Sequence, residues 1–132
     1  MKEPTEAWLK AASDDLATIA EIIDNEQLTN IVAFHAQQAV EKSLKAIVEE
    51  FELEMSKIHS LERLFAIVKH YLPLPIDAAT VEELDRLYID ARYPSEFGLL
   101  PQGKPARKDA EKFYDFAKMI YDNVYENLKK KM

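Results

Sequence analysis

The chain contains no cysteine and only two glycines, and its apolar residues never run on long enough to span a bilayer. Without a thiol there is no disulfide, zinc–thiolate cluster or cysteine nucleophile, so any chemistry rests on other groups, and a reducing compartment is compatible. A spanning helix takes about eighteen consecutive apolar residues, whereas charges from Lys10 to Asp15 already interrupt the first amphipathic segment. Neither a membrane span nor a signal peptide is expected, and the chain reads as soluble and cytoplasmic. Basic residues are scarce as well: 17 Lys and Arg stand against 24 Asp and Glu, a formal charge of −7. Nonspecific DNA binding is therefore not expected, and any contact to RNA or nucleotide has to be local. Scarce glycine with abundant Ala, Leu, Glu and Lys disfavours a turn-rich β fold and favours helix. A length of 132 residues with 48% hydrophobic content fits one domain, residues 1–132, with a core of its own.

Periodicity divides the chain into helices. From about Thr5 to Asn25, Trp8, Ala12, Leu16, Ile19 and Ile23 recur at three- and four-residue steps. Thr29 or Asn30 caps a longer second helix, with Ala33, Gln37, Val40, Leu44, Ile47 and Phe51 as its core stripe. Beside that stripe runs a mixed row, Phe34, Gln38, Glu41, Lys45 and Val48, which reads equally as a solvated flank, a second packing surface or a polar site. A third, shorter helix starts near His59 or Ser60, turns Leu61, Leu64, Phe65 and Val68 inward and ends before Pro73 and Pro75. Asp77 or Thr80 caps a fourth, with Val81, Leu84, Leu87, Tyr88 and Ala91 inward until Pro94. Residues 93–105 hold both glycines and three of the six prolines and read as a surface loop. The last helix runs from about Ala106 to Lys130 on a seam of Ala110, Phe113, Ala117, Ile120, Val124 and Leu128. The expected fold is all-α: an antiparallel up-and-down bundle of four main helices and one shorter one.

Several polar residues carry two readings. Glu41 and Lys45 stand one turn apart with Glu first, an arrangement that stabilises an exposed helix by about 0.2–0.5 kcal/mol. Alternatively, Gln38, Glu41, Lys42 and Lys45 form a polar ridge that meets His59 and Arg92 at a groove, where cations and amide donors hold a phosphate or a partner's carboxylate. His59, at the start of the third helix, can also simply cap or pack. Arg92 and Tyr93 are either a cation at a negative helix terminus with a packed aromatic, or a guanidinium presented to phosphate. Gly98 to Lys104 matches the first seven positions of a phosphate loop, but Pro105 stands where Ser or Thr should bind magnesium, and Pro101 removes a backbone donor. A helix rather than a strand precedes it, so it reads as a decoy, with Lys104 left to attract an anion weakly. The third residue before His35, His59 and His70 is Val32, Ser56 and Ile67, so the Glu-x-x-His of di-iron bundles is absent. Neither a metal cluster nor a cofactor is expected.

The run Phe34 to Val48, FHAQQAVEKSLKAIV, followed by His59-Ser60-Leu61 and by Ala91-Arg92-Tyr93-Pro94, resembles the HEPN family (higher eukaryotes and prokaryotes nucleotide-binding) in its small prokaryotic single-domain form. Trp8, Ala12, Asp15 and Leu16 are similar to the opening helix of that group. The resemblance implies a bundle that often forms homodimers, and frequent pairing with a minimal nucleotidyltransferase in toxin–antitoxin-type modules. It also implies one of two activities: metal-independent RNA cleavage, or noncatalytic binding of nucleotides or partners. The ribonuclease branch carries an Arg, four to six residues, then a His near the start of the last main helix. Here the positions after Arg92 hold Phe97, Gly98 and Leu99, and those after Arg107 hold Lys112, Phe113 and Tyr114. Without that histidine, proton transfer from a ribose 2′ hydroxyl lacks its usual agent. Arg63 and His70 do have the spacing, two turns apart on the third helix, but in the wrong place, and read as a solvated pair. The expectation is a noncatalytic binding protein, partner of a nucleotidyltransferase, whose groove takes nucleotide or RNA. The alternatives are a metal-independent endoribonuclease and a bundle used only for assembly.

Overall fold

The structure, a computed structural model, describes residues 1–54, 57–92 and 104–130, the last four of the middle segment without their side chains. Among the described residues five α-helices follow one another: α1 Glu3–Ile22, α2 Thr29–Glu50, α3 Leu61–Val68, α4 Ala78–Arg92 and α5 Arg107–Lys130. A 3-10 turn, Glu26–Leu28, joins α1 to α2; helical periodicity carried no sign of it, and it forms because the Asn25 side chain accepts from the Gln27 N–H at 2.9 Å.

Each helix starts where its local chemistry allows. Pro4 stands in the first turn of α1 with Glu3 and Glu6 beside the positive end of the dipole. Asp77 Oδ1 accepts from the Thr80 N–H and Oδ2 from the Thr80 hydroxyl, opening α4. These two bonds hold the Asp77 carboxyl below its usual value of 3.8. Asp109 accepts from the Ala106 N–H at the start of α5, and Lys129 and Lys130 occupy its negative end. α2 ends in a left-handed residue: Glu52, at φ 54°, lets the Leu53 N–H reach back to the Val48 carbonyl at 2.9 Å.

α2 is the central element and touches all four other helices. The Thr5 hydroxyl donates to Glu50, so α1 lies antiparallel to α2, and stacking of Tyr88 on Phe34 puts the end of α4 at the start of α2. Arg107 meets Asp24 and Glu26, which sets the start of α5 beside the start of α2. These contacts run α1 and α4 against the direction of α2 and α5, the alternation of an up-and-down bundle. The expected α5 seam is wholly buried, joined by Phe116, and the α2 stripe is buried apart from half-buried Phe51. On α1 the stripe is shifted: Thr5, Leu9, Ala12, Asp15 and Ile19 point inward, while Trp8, Leu16 and Ile23 lie on its edge. On α4, Val81 and Leu84 are buried, Leu87 and Tyr88 half-buried, and Ala91 lies outside the described side chains. No helix among the described residues is long and apolar enough to cross a membrane.

Candidate functional site

Because α2 is surrounded, its mixed row is forced inward. Glu41 and Lys45 are not an exposed pair: their side chains are 5% and 9% accessible, with Lys45 Nζ 2.9 Å from Glu41 Oε2 and 5.3 Å above the Trp8 ring. Gln37, fully buried, donates from Nε2 to Glu41 Oε1 at 3.1 Å and to the His59 carbonyl at 3.0 Å, and its Oε1 accepts from Gln38 at 2.8 Å. The His59 Nδ1 lies 3.4 Å from Glu41 Oε2. A buried carboxylate is thus held by an ammonium, an amide and an imidazole, the company a carboxylate needs to stay charged away from water.

A second cluster, nearer the start of α2, again sets a carboxylate between an ammonium and an imidazole. Asp15 of α1, buried, receives Lys42 Nζ on Oδ2 at 2.8 Å and faces His35 Nδ1 at 2.8 Å through Oδ1. With carboxylates on both Nδ1 atoms, the Nδ1–H tautomer leaves Nε2 of His35 and of His59 as the nitrogen available to other groups. A row of rings joins the clusters. Phe34 meets His35 edge-on at 5.4 Å, Tyr88 stacks on Phe34 at 5.9 Å and 14°, and His59 stacks on Tyr88 at 6.1 Å and 27°.

Asp85 of α4 clasps the start of α3 against this row. Its Oδ1 accepts from the Leu61 N–H at 2.8 Å, and Oδ2 from the Glu62 N–H at 3.1 Å and the Ser60 hydroxyl at 3.3 Å. These are orphan donors of a helix N-terminus, satisfied from a neighbouring helix, and they fix the backbone next to His59.

Of the residues expected at the groove, the structure brings together Gln38, Glu41, Lys45 and His59, while Lys42 turns to Asp15. Lys104 lies apart and donates to the Gln27 carbonyl at 2.8 Å. Tyr93, the Arg92 side chain and residues 98–103 of the loop lie outside what the structure describes. Arg63 and His70 are both exposed, and α3 stops at Val68, so His70 falls beyond the helix instead of two turns along its face: Lys69 already ends the ladder. Among the described residues no group of three or more His, Asp or Glu is placed to hold a metal ion. Sequence reasoning missed Asp15, His35 and Asp85 as site members. Asp15 left a signal, a charged residue in phase with Leu9, Ala12 and Ile19 on a buried stripe; Asp85 left none, because its partners are backbone groups of another helix.

The HEPN domain profile matches residues 5–128. Two solved structures share the architecture over the length of both chains. The first is TT1696 from Thermus thermophilus, at 27% identity and TM-score 0.75, covering 95% of this chain and 98% of that one. The second is ST0689, an archaeal HEPN homologue, at 24% identity and TM-score 0.68, covering 96% and 98% and informative for fold alone. No curated protein matches the sequence.

Proposed function

The chain belongs to the HEPN family, and from that premise we propose that it is a noncatalytic binding protein whose groove, built from α2, α4 and His59, takes a nucleotide or RNA. The ring row of Phe34, Tyr88 and His59 beside the amide of Gln38 is the observation that carries this reading, since stacked aromatics next to a donor–acceptor group suit a base. Dimerisation, and partnership with a minimal nucleotidyltransferase in a toxin–antitoxin-type module, are proposed on the family relationship alone. The noncatalytic reading is supported by the missing histidine after Arg92 and Arg107.

One observation favours a second reading, metal-independent RNA cleavage: each of His35 and His59 has Nδ1 turned to a carboxylate, which orients the ring and leaves Nε2 to act as a general base. A single experiment separates the two. Purified protein is incubated with cellular RNA in chelator beside His35→Ala, His59→Ala, Arg92→Ala and Arg63→Ala/His70→Ala variants, while retention of labelled RNA and ATP on filters is measured in parallel. Retention without fragments is expected. Fragments that vanish in any variant make the protein a ribonuclease, and the absence of both retention and fragments removes the ligand reading. Co-purification with the product of an adjacent nucleotidyltransferase gene tests the partner, and failure to co-purify from co-expressing cells would overturn it.

A further inference from the structure

We infer that the groove reads the nucleobase and leaves the phosphate in water; this deepens, and rests on, the nucleotide reading of the same site. A phosphate is held by cations and N–H donors that have no other obligation. The two lysines of the ridge have obligations already. Lys42 Nζ sits 2.8 Å from Asp15 Oδ2 and Lys45 Nζ 2.9 Å from Glu41 Oε2, and those carboxylate side chains are 9% and 5% accessible. Drawing either ammonium toward a phosphate strands a carboxylate in a low-dielectric interior, so the lysines serve the carboxylates first. Pair by pair the charges cancel, and the chain as a whole carries −7. Each added phosphate on a ligand therefore approaches lysines that are already paired, on an anionic protein.

The groove offers ring faces and an amide instead. The His59 side chain is 44% accessible and tilts 27° from Tyr88, which tilts 14° from Phe34, so the rings form a stair whose outer step is open to a further ring. At 5.9 and 6.1 Å the gaps are filled by offset contact, which places an incoming base on the outside of His59 rather than between rings. Gln38 spends Nε2 on Gln37 and keeps its Oε1 and second N–H for the edge of a base, and His59 keeps Nε2. The ligand class is a nucleoside or an unstacked base of single-stranded RNA.

Calorimetric titration of the intact protein with the four ribonucleosides, their 5′-mono- and triphosphates and a single-stranded RNA oligonucleotide tests this. For whichever base binds, we expect nucleoside and monophosphate to agree within about threefold, the triphosphate to be no tighter, and affinity for the oligonucleotide to fall less than about threefold between 50 and 200 mM salt, against the ~10³-fold or more that many phosphate contacts impose. His59→Phe keeps a ring for the base to stack on and retains binding, while His59→Leu loses the ring and weakens binding by roughly 5- to 150-fold, the loss of one base–aromatic stack; melting curves of both variants establish that they are folded. Tighter binding with each phosphate and a steep salt dependence would overturn the inference and leave the nucleotide reading standing. No binding of any member of the series overturns both.

Discussion

Replacing Lys45 by Met tests whether the polar heart of α2 is energetically what its geometry says. The substitution keeps an unbranched apolar stem against Trp8 and removes only the ammonium. Glu41, 5% accessible, is then left with Gln37 Nε2 at 3.1 Å and His59 Nδ1 at 3.4 Å. Taking one partner from a buried pair costs about 3–5 kcal/mol, because the survivor is charged and unpaired. Here one amide donor remains in place and His59 can move closer, so the low end applies, about 3 kcal/mol. For a domain of this size that corresponds to a fall in Tm of roughly 8–12 °C. The companion double variant Glu41→Leu/Lys45→Met removes both charges and should recover most of the loss, to within about 1 kcal/mol of wild type. Urea denaturation followed by far-UV circular dichroism gives all four corners of the cycle with Glu41→Leu. A Lys45→Met cost below about 0.5 kcal/mol would equate the pair with an exposed i, i+4 contact and refute the reasoning.

Two further predictions concern the caps. Asp85→Ala removes three hydrogen bonds at the start of α3 and should cost about 1–2 kcal/mol, with amide exchange accelerating at Leu61 and Glu62 before it does in α2; unchanged exchange there would show that α3 does not depend on α4 for its start. Asp77 has its pKa lowered by the Thr80 hydroxyl and N–H. A depressed carboxyl adds stability that is present above the unfolded value of 3.8 and is lost as pH falls through the folded one. Tm should therefore drop on acidification below that point by more in wild type than in Asp77→Asn, and parallel Tm–pH curves would contradict the assignment.

Helical periodicity alone determined the class of this fold, because a chain nearly without glycine, carrying long seams at three- and four-residue steps, has few other ways to bury its apolar surface. The α5 seam was legible except for Phe116, since its members follow from their own spacing. The family was legible from the order of Phe34–Val48, His59–Leu61 and Ala91–Pro94, and the profile match over residues 5–128 establishes it. The site was legible only in part. Gln38, Glu41, Lys45 and His59 could be placed together because three of them share one helix face, but whether that face met water or protein depended on how many helices surround α2. Tertiary packing decided that. Burial turned a weak Glu–Lys pair into a desolvated one, drew Lys42 to Asp15 on another helix, brought Tyr88 from α4 between Phe34 and His59, and set Asp85 on the backbone of α3. The physical reason is the range of the signal: a helix's own period is written in contiguous residues, whereas a partner 20 to 54 positions away leaves no periodic trace in the sequence, and its energy appears only when the intervening water has gone.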